Sequence, residues 1–203
     1  MNIKISESIE MRLESHHLLI SNQQKCKDIL SKPTRDRNDI IDFLISLHLV
    51  LEIGLNGFYR AIILNQLQKT VRKTQIADDL DNVGFKEKTV MFFSLPYFEF
   101  PNGINEADNY YKAIGKMKNF SEIRNKLLHG HSIMEISDGN GATERSRTFE
   151  LLKEETLQNQ IIDFKFIMSA VKFYFDNLKE SNITESGKEA FKNQFLSTDF
   201  LNI

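Results

Sequence analysis

The segment FLISLHLVLEIGLNGFYRAIIL, residues 43–64, decides the fold because it is apolar around nearly the whole circumference of a helix. The apolar pattern continues over residues 40–67, and a helix of this kind lies at the centre of a helical protein. The segment is also long enough to cross a bilayer. It nevertheless contains His48, Glu52, Asn56 and Arg60, which are costly to place in a bilayer. We therefore predict a central helix buried in protein, with no membrane as partner.

The composition of the 203 residues is typical of a soluble helical protein. The chain is 41% hydrophobic and 27% charged, and its 9 Gly and 3 Pro are too few for a many-turned all-β protein. The single cysteine, Cys26, excludes an internal disulfide and a zinc site built on paired thiolates. The first ten residues carry charges where a secretory signal would need an uninterrupted apolar stretch, so we expect a cytoplasmic protein. Neither a metal nor a cofactor is expected.

Periodicity predicts further helices on both sides of the central segment. Long helices are expected near residues 38–70, 104–130 and 154–180, after an outer helix at about 6–31. Two shorter helices are expected, one in the apolar run 90–101, where two prolines end it, and one near 188–196.

A β-hairpin is the one predicted departure from helix. The sequence DGNG at residues 138–141 lies between alternating segments and predicts a hairpin over about 132–151. The fold class that follows is mainly α. We expect one domain over residues 1–203, with a core of about 38–180, built as a bundle of four to six helices with this one hairpin.

The helix predicted at 154–180 has more apolar surface than one bundle seam uses. The seam residues alternate in spacing between four and three: Leu157, Ile161, Phe164, Met168, Val171, Phe175 and Leu178. Further apolar residues stand beside the seam, namely Ile162, Phe166, Phe173 and Tyr174. The surplus indicates either the wide face of an interior helix or a contact with a second subunit.

The helix predicted at 104–130 carries Arg124 in the middle of its apolar stripe. An arginine stays charged and is costly to bury alone, so it needs a carboxylate, a bound anion or a solvent-filled cleft. Glu52 is the one formal charge between Phe43 and Tyr59 and is therefore the candidate partner. A structural Arg124–Glu52 pair would hold two helices in register.

The end of the same helix carries histidines. His129 lies five residues after Arg124, about 140° around an ideal helix, so the two face one ligand only if the helix opens at residues 128–130. Asn125 lies one turn before His129, where it is placed to hydrogen-bond the ring. His131 is expected in the following loop. Taken singly, each histidine is best explained as a polar residue at a helix end.

Together these residues resemble the signature of the HEPN family (higher eukaryotes and prokaryotes nucleotide-binding domains). In that signature a histidine follows an arginine after four to six residues, commonly with Asn, Asp or His directly after the arginine. Here Arg124, Asn125 and His129 occupy those places within RNKLLHG, residues 124–130. The family is an all-α bundle of four or five helices with the motif at a helix end, and the resemblance covers about residues 38–180.

The resemblance implies a metal-independent endoribonuclease, often a toxin or another defence component, whose two motif copies meet in a homodimer. His129 would be the base on the ribose 2′-hydroxyl or the acid on the leaving 5′-oxygen. Arg124 would stabilise charge on the phosphate, and Asn125 would orient the ring or the phosphate. Glu52, His48 and His131 would support this site. The implied partners are RNA, a second copy of the chain and an antitoxin protein.

The charge distribution allows RNA binding without indicating it. The chain has a formal net charge of -2, but the motif helix carries more basic than acidic residues. Lys118 and Lys126 on that helix, with Arg145 and Arg147 on the hairpin, are the candidate RNA-binding residues. Lysines on a helix most often form its solvated face.

Two alternatives stay open from the sequence. One is a HEPN-like dimer that binds nucleotide, RNA or a partner protein without cutting, because a fold does not fix a function. The other is an unrelated helical interaction protein in which Arg124 and His129 are structural.

Overall fold

The computed structural model describes residues 3–66, 79, 82–94, 104–129, 135–137, 143–176 and 185–202. The helices of this part of the chain are α1 (Ile3–Leu30), α2 (Arg37–Gln66), α3 (Phe85–Ser94), α4 (Ile104–Leu128), α5 (Arg147–Glu150), α6 (Glu154–Asp176) and α7 (Glu185–Phe195). The strands β1 (Glu135–Ser137) and β2 (Thr143–Arg145) pair antiparallel, and a 3₁₀ turn spans Asp199–Leu201. The predicted mainly α fold class is confirmed.

Helix α2 is the central element, as the sequence predicts. It packs against α1, α4, α6 and α7. Several of its apolar side chains are fully buried, and they include Phe43, Leu47, Val50, Leu51, Leu55 and Phe58. Arg37–Arg60 has the length and composition of a membrane span, and 56% of its most apolar window is buried inside the protein.

The start of α2 is set by a reciprocal cap. The Asp39 backbone N–H donates to Asp36 Oδ1 at 2.8 Å, and the Asp36 N–H donates to Asp39 Oδ2 at 3.2 Å. These bonds satisfy backbone donors that a helix leaves without an intrahelical partner at its first turn. The cap therefore fixes the point at which the central helix enters the core.

Helix α6 buries the predicted seam. Its seam residues from Leu157 to Phe175 are buried, and Leu178 lies outside the described residues. The rings of Phe58 and Phe175 join α2 to α6 with centroids 6.0 Å apart, and Phe120 and Phe164 join α4 to α6 at 6.4 Å. The residues beside the seam divide: Tyr174 is buried, Phe166 and Phe173 are half-buried, and Ile162 is 62% exposed.

Helix α3 begins at Phe85 and not near residue 90, so the predicted start was wrong. Its first turns face inward, because Phe85, Lys88 and Thr89 are buried. The Tyr59 hydroxyl donates to the Lys88 carbonyl, and Thr89 Oγ1 donates to the Phe85 carbonyl at 2.9 Å. A lysine in a polar stretch indicates solvent, which is why the sequence pattern missed this turn. The predicted end at the two prolines lies outside the described residues.

The hairpin is shorter than its prediction at the C-terminal side. Glu135 pairs with Arg145 and Ser137 with Thr143, as an antiparallel hairpin requires. Residues 147–150, predicted as strand, form α5 instead. Ser146 caps this helix, since its side chain accepts from the Phe149 N–H at 3.2 Å, and the Phe149 ring is buried. Residues 138–142, which contain the predicted turn, lie outside the described residues.

The close approach of α2 and α7 depends on two glycines. A Cβ built on Gly54 would lie 2.9 Å from the Phe195 backbone oxygen and 3.4 Å from Met168 Cε. A Cβ on Gly57 would lie 3.2 Å from the Phe195 ring and 3.3 Å from Phe191. The C-terminal helix can therefore reach the central helix only because both positions lack a side chain.

Arg35 joins the end of α1 to the start of α6. Its Nε donates to the Ile29 carbonyl at 2.9 Å, and its Nη2 donates to the Leu30 carbonyl. Its Nη1 forms an ion pair with Glu154 Oε1 at 2.9 Å. One guanidinium therefore satisfies carbonyls at the C-terminus of α1 and holds the N-terminus of α6.

Replacing Arg35 by alanine is expected to lower the free energy of unfolding by about 2 kcal/mol, because it removes three charge-assisted hydrogen bonds. Lysine should restore little of this loss, because an ammonium lacks the planar fork that reaches both carbonyls. The matched control is Lys25→Ala, which removes an exposed ion pair to Asp42 and should cost less than about 1 kcal/mol. Urea unfolding measures both, and equal losses would contradict the bridging role.

Candidate functional site

Arg124 lies on α4, where a buried row fixes the orientation of the helix. Met117, Phe120 and Ile123 are buried against the core, whereas Arg124 is half-buried. Its Nη1 donates to Asn125 Oδ1 at 3.2 Å. Among the described side chains no carboxylate lies within ion-pair distance of the guanidinium. Most N–H donors of Arg124 therefore have no carboxylate partner among the described residues.

The predicted Arg124–Glu52 ion pair is not formed. Glu52 Oε2 lies instead 3.6 Å from Nε2 of His48, one turn earlier on α2. Interaction with the His48 ring is the main reason that the pKa of Glu52 is below its ordinary value, and the charges of Lys88 and Arg124 act in the same direction. Partial burial of Glu52 opposes this effect. Arg124 is thus close enough to influence Glu52 but not to bond it.

His48 is buried at 1% exposure, beside a side chain that the sequence did not single out. Its ring lies against Phe85 of α3, with centroids 4.7 Å apart and planes tilted by 54°. Lys88, one turn further along α3, is 2% exposed. The structure therefore brings His48 and Glu52 together and adds Lys88. No signal in the sequence identifies Lys88, because its burial depends on the packing of α3 against the core.

Helix α4 stays closed as far as His129, and Gly130 lies outside the described residues. The His129 backbone N–H donates to the Asn125 carbonyl at 3.0 Å, so helical bonding continues through His129. His129 is exposed. On a continuous helix its offset from Arg124 is about 140°. The sequence predicts that Asn125 contacts the His129 ring. In the structure the Asn125 side chain instead accepts a hydrogen bond from Arg124. Within one chain, Arg124 and His129 therefore point to different sides of the helix.

The candidate RNA-binding residues lie on three elements: Lys118 and Lys126 on α4, Arg145 on β2 and Arg147 on α5. Lys118 is exposed and Lys126 is half-buried on α4. Arg147 is exposed but belongs to α5, which corrects its predicted place on the hairpin. The side chain of Arg145 and the whole of His131 lie outside what the structure describes.

Lys116 is one of the basic residues of α4, but its side chain is held by contacts with α6. Its Nζ forms an ion pair with Asp163 of α6 and lies 5.4 Å from the centroid of the Phe166 ring. This lysine joins α4 to α6. The positive charge of the motif helix is therefore partly neutralised within the bundle.

Among the described side chains no three His, Cys, Asp or Glu residues gather into a candidate metal site. Comparisons of the chain with protein-family models, curated proteins and solved structures found no match.

Proposed function

We propose that this chain is a HEPN-type, metal-independent endoribonuclease whose active site is composed of two motif copies at a dimer interface. The observation that carries the proposal is the state of Arg124, a half-buried guanidinium held by Asn125 and without a carboxylate ion pair among the described residues. A guanidinium in this state is suited to a phosphate oxygen, which accepts two parallel hydrogen bonds from its fork.

Dimerisation would bring an arginine and a histidine of the motif to the same phosphate. Arg124 and His129 point to different sides of a continuous helix, so a single chain does not present both to one phosphate. A two-fold axis beside the end of α4 would set the arginine and histidine of one chain opposite those of the other. Leu128, next to His129, is 48% exposed, and such an interface would cover it.

The chemistry that these residues would perform is transfer of a phosphoryl group within the RNA. The 2′-oxygen bonds to phosphorus as the bond from phosphorus to the 5′-oxygen breaks, which leaves a 2′,3′-cyclic phosphate and a 5′-hydroxyl. One His129 takes the proton of the 2′-hydroxyl, and the other gives a proton to the leaving oxygen. Arg124 stabilises the charge that develops on the phosphate. A role as a toxin or defence component, with an antitoxin as partner, belongs to the same proposal.

A second candidate is a HEPN-like dimer that binds RNA, nucleotide or a partner protein without cutting. The charge of the chain favours it, because the net value is -2 and Lys116 of the motif helix is paired with Asp163. A nuclease ordinarily gathers positive charge to hold the RNA backbone. Activity on RNA separates the two candidates.

In solution the chain is expected to be a homodimer. Exposed Leu128 beside the motif and Ile162 on α6 supply apolar surface that a second copy would bury. Light scattering coupled to size exclusion, at micromolar concentration, measures the mass directly. A monomer that persists as the protein concentration is raised would contradict a composite site.

The purified protein is expected to cut single-stranded RNA and to spare DNA of the same sequence, because the nucleophile is the 2′-hydroxyl. EDTA should not slow the reaction, because protein side chains supply both proton transfer and charge stabilisation. Gel analysis and mass spectrometry of the product ends check both points. Loss of cleavage in EDTA would contradict the mechanism, and an absence of cleavage by a folded dimer would favour the non-cutting candidate.

A further inference from the structure

The hairpin formed by β1 and β2 has sheet edges that no third strand pairs among the described residues. Its strands have three residues each and pair antiparallel, with Ile136 opposite Glu144. A strand at the edge of a sheet carries backbone N–H and C=O groups that no neighbouring strand bonds. A two-stranded ribbon is only marginally stable by itself in water. A further strand beside the hairpin would therefore stabilise it.

Ile136, the middle residue of β1, is an apolar side chain that lies largely in solvent. It is 57% exposed, and Ser137 after it is exposed as well. Isoleucine stabilises a strand chiefly by packing against an apolar or aromatic cross-strand neighbour. Its register partner within the hairpin is Glu144, a charged residue. The apolar neighbour that suits this position is thus not supplied by β2.

We propose that β1 pairs antiparallel with β1 of a second copy, with the two-fold axis at Ile136, so that two hairpins form one four-stranded sheet. A two-fold contact places the residue on the axis opposite its own copy, here Ile136 opposite Ile136 of the partner subunit. Ser137 then lies opposite Glu135 of the partner subunit, a pair without like charges. The arrangement rests on the dimer of the proposed function and adds the surface through which that dimer forms.

The charges of the hairpin favour β1 over β2 as the contact strand. Pairing β2 with its own copy about its middle residue would set Glu144 opposite Glu144 of the partner subunit, and like charges directly opposite are destabilising. Pairing β1 about Ile136 gains an apolar cross-strand pair instead.

The position of β1 in the chain connects this contact to the motif. Glu135 follows His129 by six residues, so His129 lies within about 25 Å of the proposed axis. The short connection brings the two motif copies to one region of the dimer, which a composite site requires.

The test is disulfide formation between two copies of Ile136→Cys under mild oxidation. Opposite Cα atoms in antiparallel strands are about 4.5 to 5.5 Å apart, within the range of a disulfide. Glu144→Cys is the matched control, because three strand spacings, about 14 Å, would separate the two copies of this position. The native Cys26 does not compete, since it is buried and burial raises its pKa to about 12.

A covalent dimer on a non-reducing gel is expected for Ile136→Cys and not for Glu144→Cys. Crosslinking of Glu144→Cys alone would assign the contact to β2 and overturn the inference. A dimer by light scattering in which Ile136→Cys stays uncrosslinked would also overturn it, while the composite site of the proposed function would stand. A monomer would overturn both. RNA is not used, so the outcome does not depend on ribonuclease activity.

Ile136→Lys tests the same contact by weakening it. A like-charge pair in place of an apolar pair on the axis is expected to raise the dimer dissociation constant by about tenfold. Within the hairpin the register partner of the new lysine is Glu144, so the hairpin itself should persist. Ile136→Val keeps an apolar β-branched side chain and should leave the dissociation constant unchanged. Equal constants for the lysine and valine variants would overturn the inference.

Hydrogen exchange of the wild type covers the case in which a variant fails to fold. At protein concentrations where the dimer forms, at least one backbone amide of residues 135–137 is expected to exchange about tenfold more slowly than in the monomer. The amides of residues 143–145 should not change, because β2 stays at the outer edge of the four-stranded sheet. Exchange in β1 that is independent of protein concentration would overturn the inference.

Discussion

If the proposed function holds, replacing His129 by alanine is expected to lower the rate of RNA cleavage by about 10²-fold or more, because it removes the group proposed to transfer the proton. The fold should be retained. His129 is exposed at the end of α4, where its structural contribution is limited to the interaction of a polar group with the helix end, worth about 1 kcal/mol or less. The rate is measured on single-stranded RNA under conditions where both proteins have the same melting temperature or lie well below it.

His17→Ala is the matched control, since it removes an exposed histidine from α1 and leaves the motif residues unchanged. Its cleavage rate should equal that of the wild type. Equal rates for His129→Ala and the wild type would reject His129 as the acid or base. A parallel loss in His17→Ala would show that the assay responds to charge or stability and not to the site.

Arg124→Ala tests the proposed site with less risk of destabilising the fold than the sequence suggests. The sequence predicts that removing Arg124 leaves Glu52 as an unpaired buried charge. In the structure Glu52 has His48 as its nearest partner, and Arg124 is half-buried without an ion pair among the described residues. The substitution is therefore expected to abolish cleavage with little loss of stability. Arg124→Lys should restore only part of the rate, because a lysine does not bind the phosphate with two parallel bonds.

Replacing Gly54 by leucine is expected to lower the free energy of unfolding by about 3 kcal/mol, because overpacking forces neighbouring groups from their positions. Its Cβ would meet the Phe195 backbone oxygen at 2.9 Å, and backbone cannot rotate aside as a side chain can. We expect α7 to be displaced from α2. Urea unfolding followed by circular dichroism gives the free energy, and limited proteolysis reports on release of the C-terminal helix.

Gly115→Leu on α4 is the matched control. Nothing lies within 4 Å of the Cβ that a side chain would add there, and the position is exposed. The same substitution should leave stability unchanged or raise it by up to about 1 kcal/mol, because leucine is a better helix former than glycine. Similar effects at the two positions would show that the contact of α2 with α7 is not what makes Gly54 sensitive.

The candidate site was predictable from the sequence only in part. Arg124 could be singled out because a charge interrupts an apolar row, and the structure places it at the edge of the buried row. Its expected bond to Glu52 was wrong, because His48 lies on the same helix as Glu52 and reaches the carboxylate first. Asn125 was expected to hold His129 but contacts Arg124, since the closed helix keeps the two adjacent side chains within reach of each other.

The sequence by itself determined the central helix, the positions of the other long helices and the place of the RNKLLHG motif at a helix end. These are local properties, because the period of the apolar pattern and the residues that flank it are read along one stretch of chain. Only the tertiary structure decided that Lys88 is buried, that the Phe85 ring packs against His48, and that α7 approaches α2 closely at Gly54. Each of these depends on which faces of distant elements pack together, and a lysine or a glycine looks the same in the sequence whether or not another helix covers it.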